Sequence, residues 1–154
     1  MPRTDEIRVG EISGRNLLEC APEEPLHEAA RRMSERRVSS ILVVEDDRVV
    51  GIWTERDALR VDFDDLATFA LPVRAVMSSP VRTVSVATPL HELTVRFREE
   101  HVRHYVVEDE AGRRVGIVSQ TDVVLNQGIE HDLKLRRVDA LVKGGLHALP
   151  AAVG

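Results

Sequence analysis

Two heptapeptides in this chain carry residue types able to hold a polar ligand: GIWTERD at 51–57 and GIVSQTD at 116–122. Each sets a hydroxyl, Thr54 or Ser119, three residues ahead of a carboxylate, Asp57 or Asp122. A hydroxyl can donate to a phosphate oxygen, and a carboxylate can accept from both hydroxyls of a ribose. Both stretches read as the junction of a strand with a helix, where free backbone amides and the positive end of the helix dipole suit an anion. The glycine, lacking a Cβ, would let a ligand come close to the backbone. The same spacing also has a purely structural use, because Ser or Thr three residues before an acidic side chain makes a capping box that ties off a helix start. The two uses are compatible.

The elements that must position these residues occur twice. PLHE stands at 25–28 and again at 89–92, and the same shift of 64 sets Val9 on Val73, Leu17 on Val81, Met33 on Phe97 and Val43 on Val107. After the acidic turn EDDRV, matched by the longer EDEAGRR, the shift becomes 65, and Gly51, Thr54 and Asp57 fall on Gly116, Ser119 and Asp122. Self-similarity at a fixed period is the signature of a repeat architecture. The repeats span 8–70 and 73–127.

Within each repeat, LHEAARRMSERRV and LHELTVRFREEHV place apolar residues at helical three-and-four spacing. The β-branched runs that follow, ILVV with RVVGIW and YVV with RVGIV, read as paired short strands around a turn. Helix, strand, strand and helix, with a short extended stretch before the first helix, predict an α+β fold. A repeat of about 60 residues is marginal alone, so the two are expected to pack as one unit.

Bulk properties narrow the function classes. The chain has 154 residues, 43% of them hydrophobic, and a formal charge of -5. That balance argues against a general nucleic-acid duplex or anionic-membrane surface, since both need a basic field. No apolar run is long enough to span a bilayer. A single cysteine, Cys20, allows no internal disulfide, and together these features favour a cytoplasmic protein.

A tandem repeat in which each copy ends in glycine, two apolar residues, Ser or Thr, two variable residues and Asp resembles a pair of cystathionine-β-synthase (CBS) domains. The likeness covers about 8–127, and VRAVMSSPVRTV and VRHYVVED resemble the family's opening and first-strand segments. The resemblance implies two repeats related by a pseudo-two-fold axis, their sheets packed together, with two clefts that commonly bind adenosine-containing ligands and regulate an attached or partner effector. AMP, ADP, ATP and S-adenosylmethionine are the ligands it suggests, with no catalytic cofactor. Carried onto this chain, Thr54 and Ser119 would contact phosphate, Asp57 and Asp122 would hold ribose, and Thr83 matches a polar position of the opening segment. Arg103 and His104 stand where the first repeat has Ser39 and Ser40, so the second repeat is expected to have the better charge for a phosphate; otherwise they form a solvated helix-to-strand corner. Glu19, the counterpart of Thr83, would repel an anion if it points inward. Arg56 would then supply compensating charge or lie exposed.

An enzyme is not expected. No histidine pairs with a second His or Cys at metal-ligand spacing, and Ser39 and Ser40 lack a glycine elbow. Cys20 matches Val84 and reads as a small core residue, and the acidic run VDFDDL lacks the spacing of a calcium loop. The alternative to a sensor is a ligand-free dimerisation module, since CBS pairs associate face to face, and a homodimer is expected under either reading. In the tail, 128–154, VDALVKGGLHAL matches the second repeat's opening at a shift of 65, suggesting a third repeat or further domain of a longer signalling protein; the other reading is a C-terminal helix.

Overall fold

The computed structural model describes residues 6–62 and 64–148. The first half runs α1 (Val9–Ile12), β1 (Glu19–Cys20), α2 (Leu26–Arg36), β2 (Ser40–Glu45), β3 (Arg48–Thr54) and α3 (Glu55–Ala58). Two 3₁₀ turns, Leu66–Ala70 and Val73–Ala75, lead to β4 (Arg82–Ser85), α4 (Leu90–Glu100), β5 (His104–Glu108), β6 (Arg114–Ser119) and α5 (Gln120–Ala148). The fold is α+β, with two three-stranded sheets, β1-β2-β3 and β4-β5-β6. In each, a short outer strand runs parallel to the first strand of an antiparallel hairpin.

Local sequence explains these elements. α2 buries Leu26, Ala29 and Met33 on one face, and α4 buries Leu90, Leu93 and Phe97 at the matching positions. Both helices end on a left-handed residue, Arg37 and His101. The first hairpin turns on Asp46 and Asp47 at φ 50° and 61°, the paired left-handed conformation that suits the twist of a two-residue turn. The second hairpin accommodates its extra residue with Gly112 at φ 77° and with Asp109, whose carboxylate accepts from the amides of Ala111 and Arg113 at 2.9 Å.

The packed units are not the linear repeats. Val9, fully buried, sits in a core with Val84, Leu90, Phe97 and Tyr105 of the second half, whereas Val73 sits with Leu26, Met33 and Trp53 of the first. Backbone hydrogen bonds follow the same exchange: Leu90 donates to Ile7 O at 2.8 Å and Leu26 to Leu71 O at 2.9 Å. Ser78 bridges to Ile52, and Gly14 to Ile117, each by reciprocal bonds of 2.8–3.0 Å. Every repeat therefore opens by docking on its twin. A third cluster, Leu42 and Ile52 from one sheet with Val106 from the other, packs the sheets together.

α5 packs through its start, where Val123 is buried, while Leu135, Val138, Leu141 and Val142 further along it are exposed. It continues unbroken through 148, so the stretch 138–148 that matches a repeat opening by offset is helical, and 149–154 lie outside the described residues.

Candidate functional site

Both heptapeptides form the caps their spacing suggests. Thr54 donates through its backbone amide and its hydroxyl to Asp57 Oδ2, at 3.0 and 3.1 Å, and the Asp57 amide returns a bond to Thr54 Oγ1 at 3.2 Å. Ser119 N donates to Asp122 Oδ2 at 2.8 Å, and the Asp122 amide donates to Ser119 Oγ at 3.1 Å. Capping occupies one oxygen of Asp57; the other, Oδ1, accepts from Ser78 Oγ at 3.4 Å, and both residues line a cleft.

That cleft has a volume of about 240 Å³ and is lined by Thr54 and Asp57 from the first repeat, by Ser78, Ser79, Pro80 and Val81 from the second repeat's opening segment, and by His101, Arg103 and His104 from its helix-to-strand corner. Arg56 is exposed but also lines it. An adjoining hollow of about 290 Å³ shares Asp57 and Ser78 and is walled by Val61, Val76, Met77, Thr68 and Arg60. The cleft brings Arg56, Arg103 and His104 beside the Asp57 carboxylate, and the adjoining hollow sets Val61, Val76 and Met77 beside Arg60 and Asp62. Together the hollows reach the size range of small-ligand sites, about 300–1,000 Å³.

Arg103 and His104 require a correction to the sequence reading. His104 is the register partner of Ser119, but both Arg103 and His104 line the cleft of Thr54 and Asp57, because the cleft is built across the two repeats. The charge expected beside the second motif thus also lies beside the first. At the matching corner the first repeat offers Ser39 and Ser40, with Ser40 buried opposite Thr54 in the sheet. His104 is half-buried; burial pushes its imidazole below the usual histidine range, Asp122 and Asp57 pull the other way, and Arg103 adds to the fall.

The glycines also act differently from the sequence expectation. A Cβ at Gly51 would collide with Met77 Sδ and Cγ, and one at Gly116 would lie 2.7 Å from Gly14 O and 2.9 Å from Ser13 Oγ. What approaches these glycines is the opening segment of the other repeat rather than a ligand. Glu19 Oε2 accepts from Arg114 Nε at 2.8 Å, and Arg114 Nη2 reaches Asp47 Oδ1 at 3.2 Å, so the Glu19 carboxylate has a cationic partner. Thr83 is exposed on β4 and is not among the residues lining the cleft; its carbonyl accepts from Arg96 Nη2 at 3.0 Å. Cys20 is buried, and burial, reinforced by Glu24 and opposed by Arg32, pushes its thiol up to about 12. It is a core residue.

Sequence reasoning passed over Ser78, Met77 and His101 as site residues. For Ser78 the signal lay in the same offset: it is the counterpart of Gly14, and both bridge to the isoleucine of the other repeat's glycine motif.

A family model described as CBS domain matches residues 9–64 and 73–127. The chain belongs to the CBS domain family. An uncharacterized protein of Methanopyrus kandleri is 30% identical over 120 residues, covering 77% of this chain, and the chain spans 61% of that relative's length. A CBS-domain containing protein from Agrobacterium tumefaciens has a similar structure, with TM-score 0.67 and 26% identity over 82% of this chain and 98% of that one. A CBS domain protein from Pyrobaculum aerophilum, solved complexed with AMP, matches with TM-score 0.61 and 26% identity over 80% of this chain and 99% of that one. In this CBS pair, no group of His, Cys, Asp or Glu among the described residues could hold a metal ion, and no described helix is long and apolar enough to cross a membrane.

Proposed function

We propose that this CBS pair is a sensor for an adenosine-containing ligand, bound in the cleft of Thr54, Asp57, Arg103 and His104. The observation that carries the reading is that one cleft brings the Asp57 carboxylate of the first repeat together with Arg103 and His104 of the second: the carboxylate suits ribose hydroxyls, Arg56, Arg103 and His104 suit an anionic 5′ group, and Val61, Val76 and Met77 of the adjoining hollow offer apolar surface to a flat base. The AMP complex of the Pyrobaculum aerophilum relative supports the ligand class. AMP, ADP and ATP fit the cationic end better than S-adenosylmethionine does. Ser119 and Asp122 would form a second and weaker position, because Ser39 and Ser40 replace the charged corner. Thr83 plays at most a peripheral part.

The cleft spans both repeats, so a ligand that grips both favours one relative orientation of them, and the shift it causes is bounded by its differential affinity for the two orientations. α5, which starts on the second motif, is the natural path to an effector, here taken to be an attached or partner protein of a larger cytoplasmic signalling system. The exposed Leu135, Val138, Leu141 and Val142 of α5 favour assembly as well, and a homodimer is part of the proposal. Calorimetric titration with AMP tests the sensor: binding at about one strong site per chain is expected. Silence from AMP, ADP, ATP and S-adenosylmethionine alike would leave the pair as an assembly module without a ligand.

A further inference from the structure

His104 differs from the other cations of the cleft in that its charge can change near neutral pH. It opens β5, pairs in register with Ser119, and lines the cleft together with Thr54 and Asp57. Two carboxylates from different elements act on it, Asp122 of α5 and Asp57 of α3, and Arg103 beside it acts in the opposite sense. Arg56 and His101 line the same cleft. At the first repeat's corner, Ser40 occupies the matching place.

We propose that His104 is a proton-linked specificity residue: a bound anionic group draws a proton onto it, so the cleft selects phosphate-bearing over cationic adenosine ligands more strongly as the pH falls. This inference rests on the adenosine-ligand reading above and deepens it.

In the ligand-free protein burial outweighs the two carboxylates, and the imidazole is held towards its neutral form. A ligand anion entering at the Arg103 end supplies a further negative charge. An opposite charge close by favours the protonated form, moving the titration by about 1–3 pH units for a close partner. Binding and protonation then reinforce each other: if the ligand moves the histidine's titration up by about one pH unit, it binds the protonated cleft about tenfold more tightly than the neutral one. A sulfonium ligand in the same place would have the opposite effect, binding more weakly as the pH falls.

The test is calorimetric titration of the full chain between about pH 5.5 and 8, on either side of the ordinary histidine value, with adenosine 5′-sulfate, whose charge does not change over that range, and with uncharged adenosine as the control. Running each titration in two buffers of different ionisation heat counts the protons taken up. The expected result is proton uptake and severalfold tighter binding of the sulfate at the acid end, a nearly flat profile for adenosine, loss of the slope in His104→Gln and its retention in His27→Gln, which lies outside the cleft. The wild-type proton count stands even if a variant folds poorly. Sulfate binding without proton uptake, an equal slope for adenosine, or a slope that survives His104→Gln overturns this proposal while leaving the sensor reading intact. Failure of both ligands to bind the wild type overturns the sensor reading and this one with it.

Discussion

Asp57 serves two structures at once. Its Oδ2 caps α3 while Oδ1 accepts from Ser78 and the residue lines the cleft, so Asp57→Ala is expected to lower stability by about 1 kcal/mol through the lost cap and to remove the ligand response as well. Asp122→Ala carries the same cap penalty but should leave the main response in place; comparing the two separates folding from binding. Cys20 gives a cleaner forecast. Its thiol is held up to about 12 by burial, so it should resist alkylation in mildly alkaline buffer until the protein unfolds, and rapid native-state labelling would contradict its place in the core. For His104 the sign follows from its lowered value: the folded state binds the proton less readily than the unfolded chain, so its neutral form is favourable above the ordinary histidine value of about 6.5. Stability should therefore fall as the pH drops through about 6.5, less steeply in His104→Gln, as read by thermal unfolding on either side of that value.

At the scale of elements, the decisive feature is the exchange of opening segments. Val9 starts α1 in the opening segment of the first repeat, but it fills the core of the second half; Val9→Ala should cost about 2 kcal/mol from the lost methyl groups and the cavity left behind. Gly51→Ala should cost about 1–3 kcal/mol by overpacking against Met77, measured by denaturant titration, and an unchanged midpoint would contradict the docking of Met77. The strands and helices themselves were legible in the sequence, because apolar residues recur at helical spacing after each PLHE, because β-branched runs flank each acidic turn, and because Thr54 and Ser119 sit at cap spacing. The exchange was not legible. Matching a chain to itself pairs Val9 with Val73 but cannot say whether each packs on its own repeat or on the other, and that choice decides which motif receives Arg103 and His104. The glycines were misread for the same reason: their open side was assigned to a ligand when a neighbouring segment occupies it.

For the molecule as a whole, pseudo-symmetry is imperfect where charge is concerned. Arg114 ties the second sheet to Glu19 and Asp47 of the first repeat, whereas the mirrored positions of Arg114 and Glu19 are Val49 and Thr83. Glu19 and Asp47 are exposed enough to be re-solvated, so Arg114→Ala should weaken the pairing of repeats by no more than about 1 kcal/mol. The cleft of Thr54 and Asp57 receives the charged corner and its twin does not, which makes a single dominant ligand position the central claim. α5 extends over 29 residues, ~43 Å, and carries exposed apolar residues along its second half. The most direct test is thermal unfolding of wild type, Asp57→Ala and Asp122→Ala with and without AMP at about a hundred times its dissociation constant. Stabilisation of about 2.7 kcal/mol, a rise of several degrees, is predicted in wild type and Asp122→Ala, and none in Asp57→Ala. A rise that survives Asp57→Ala and vanishes in Asp122→Ala would place the sensor in the other cleft and contradict the claim.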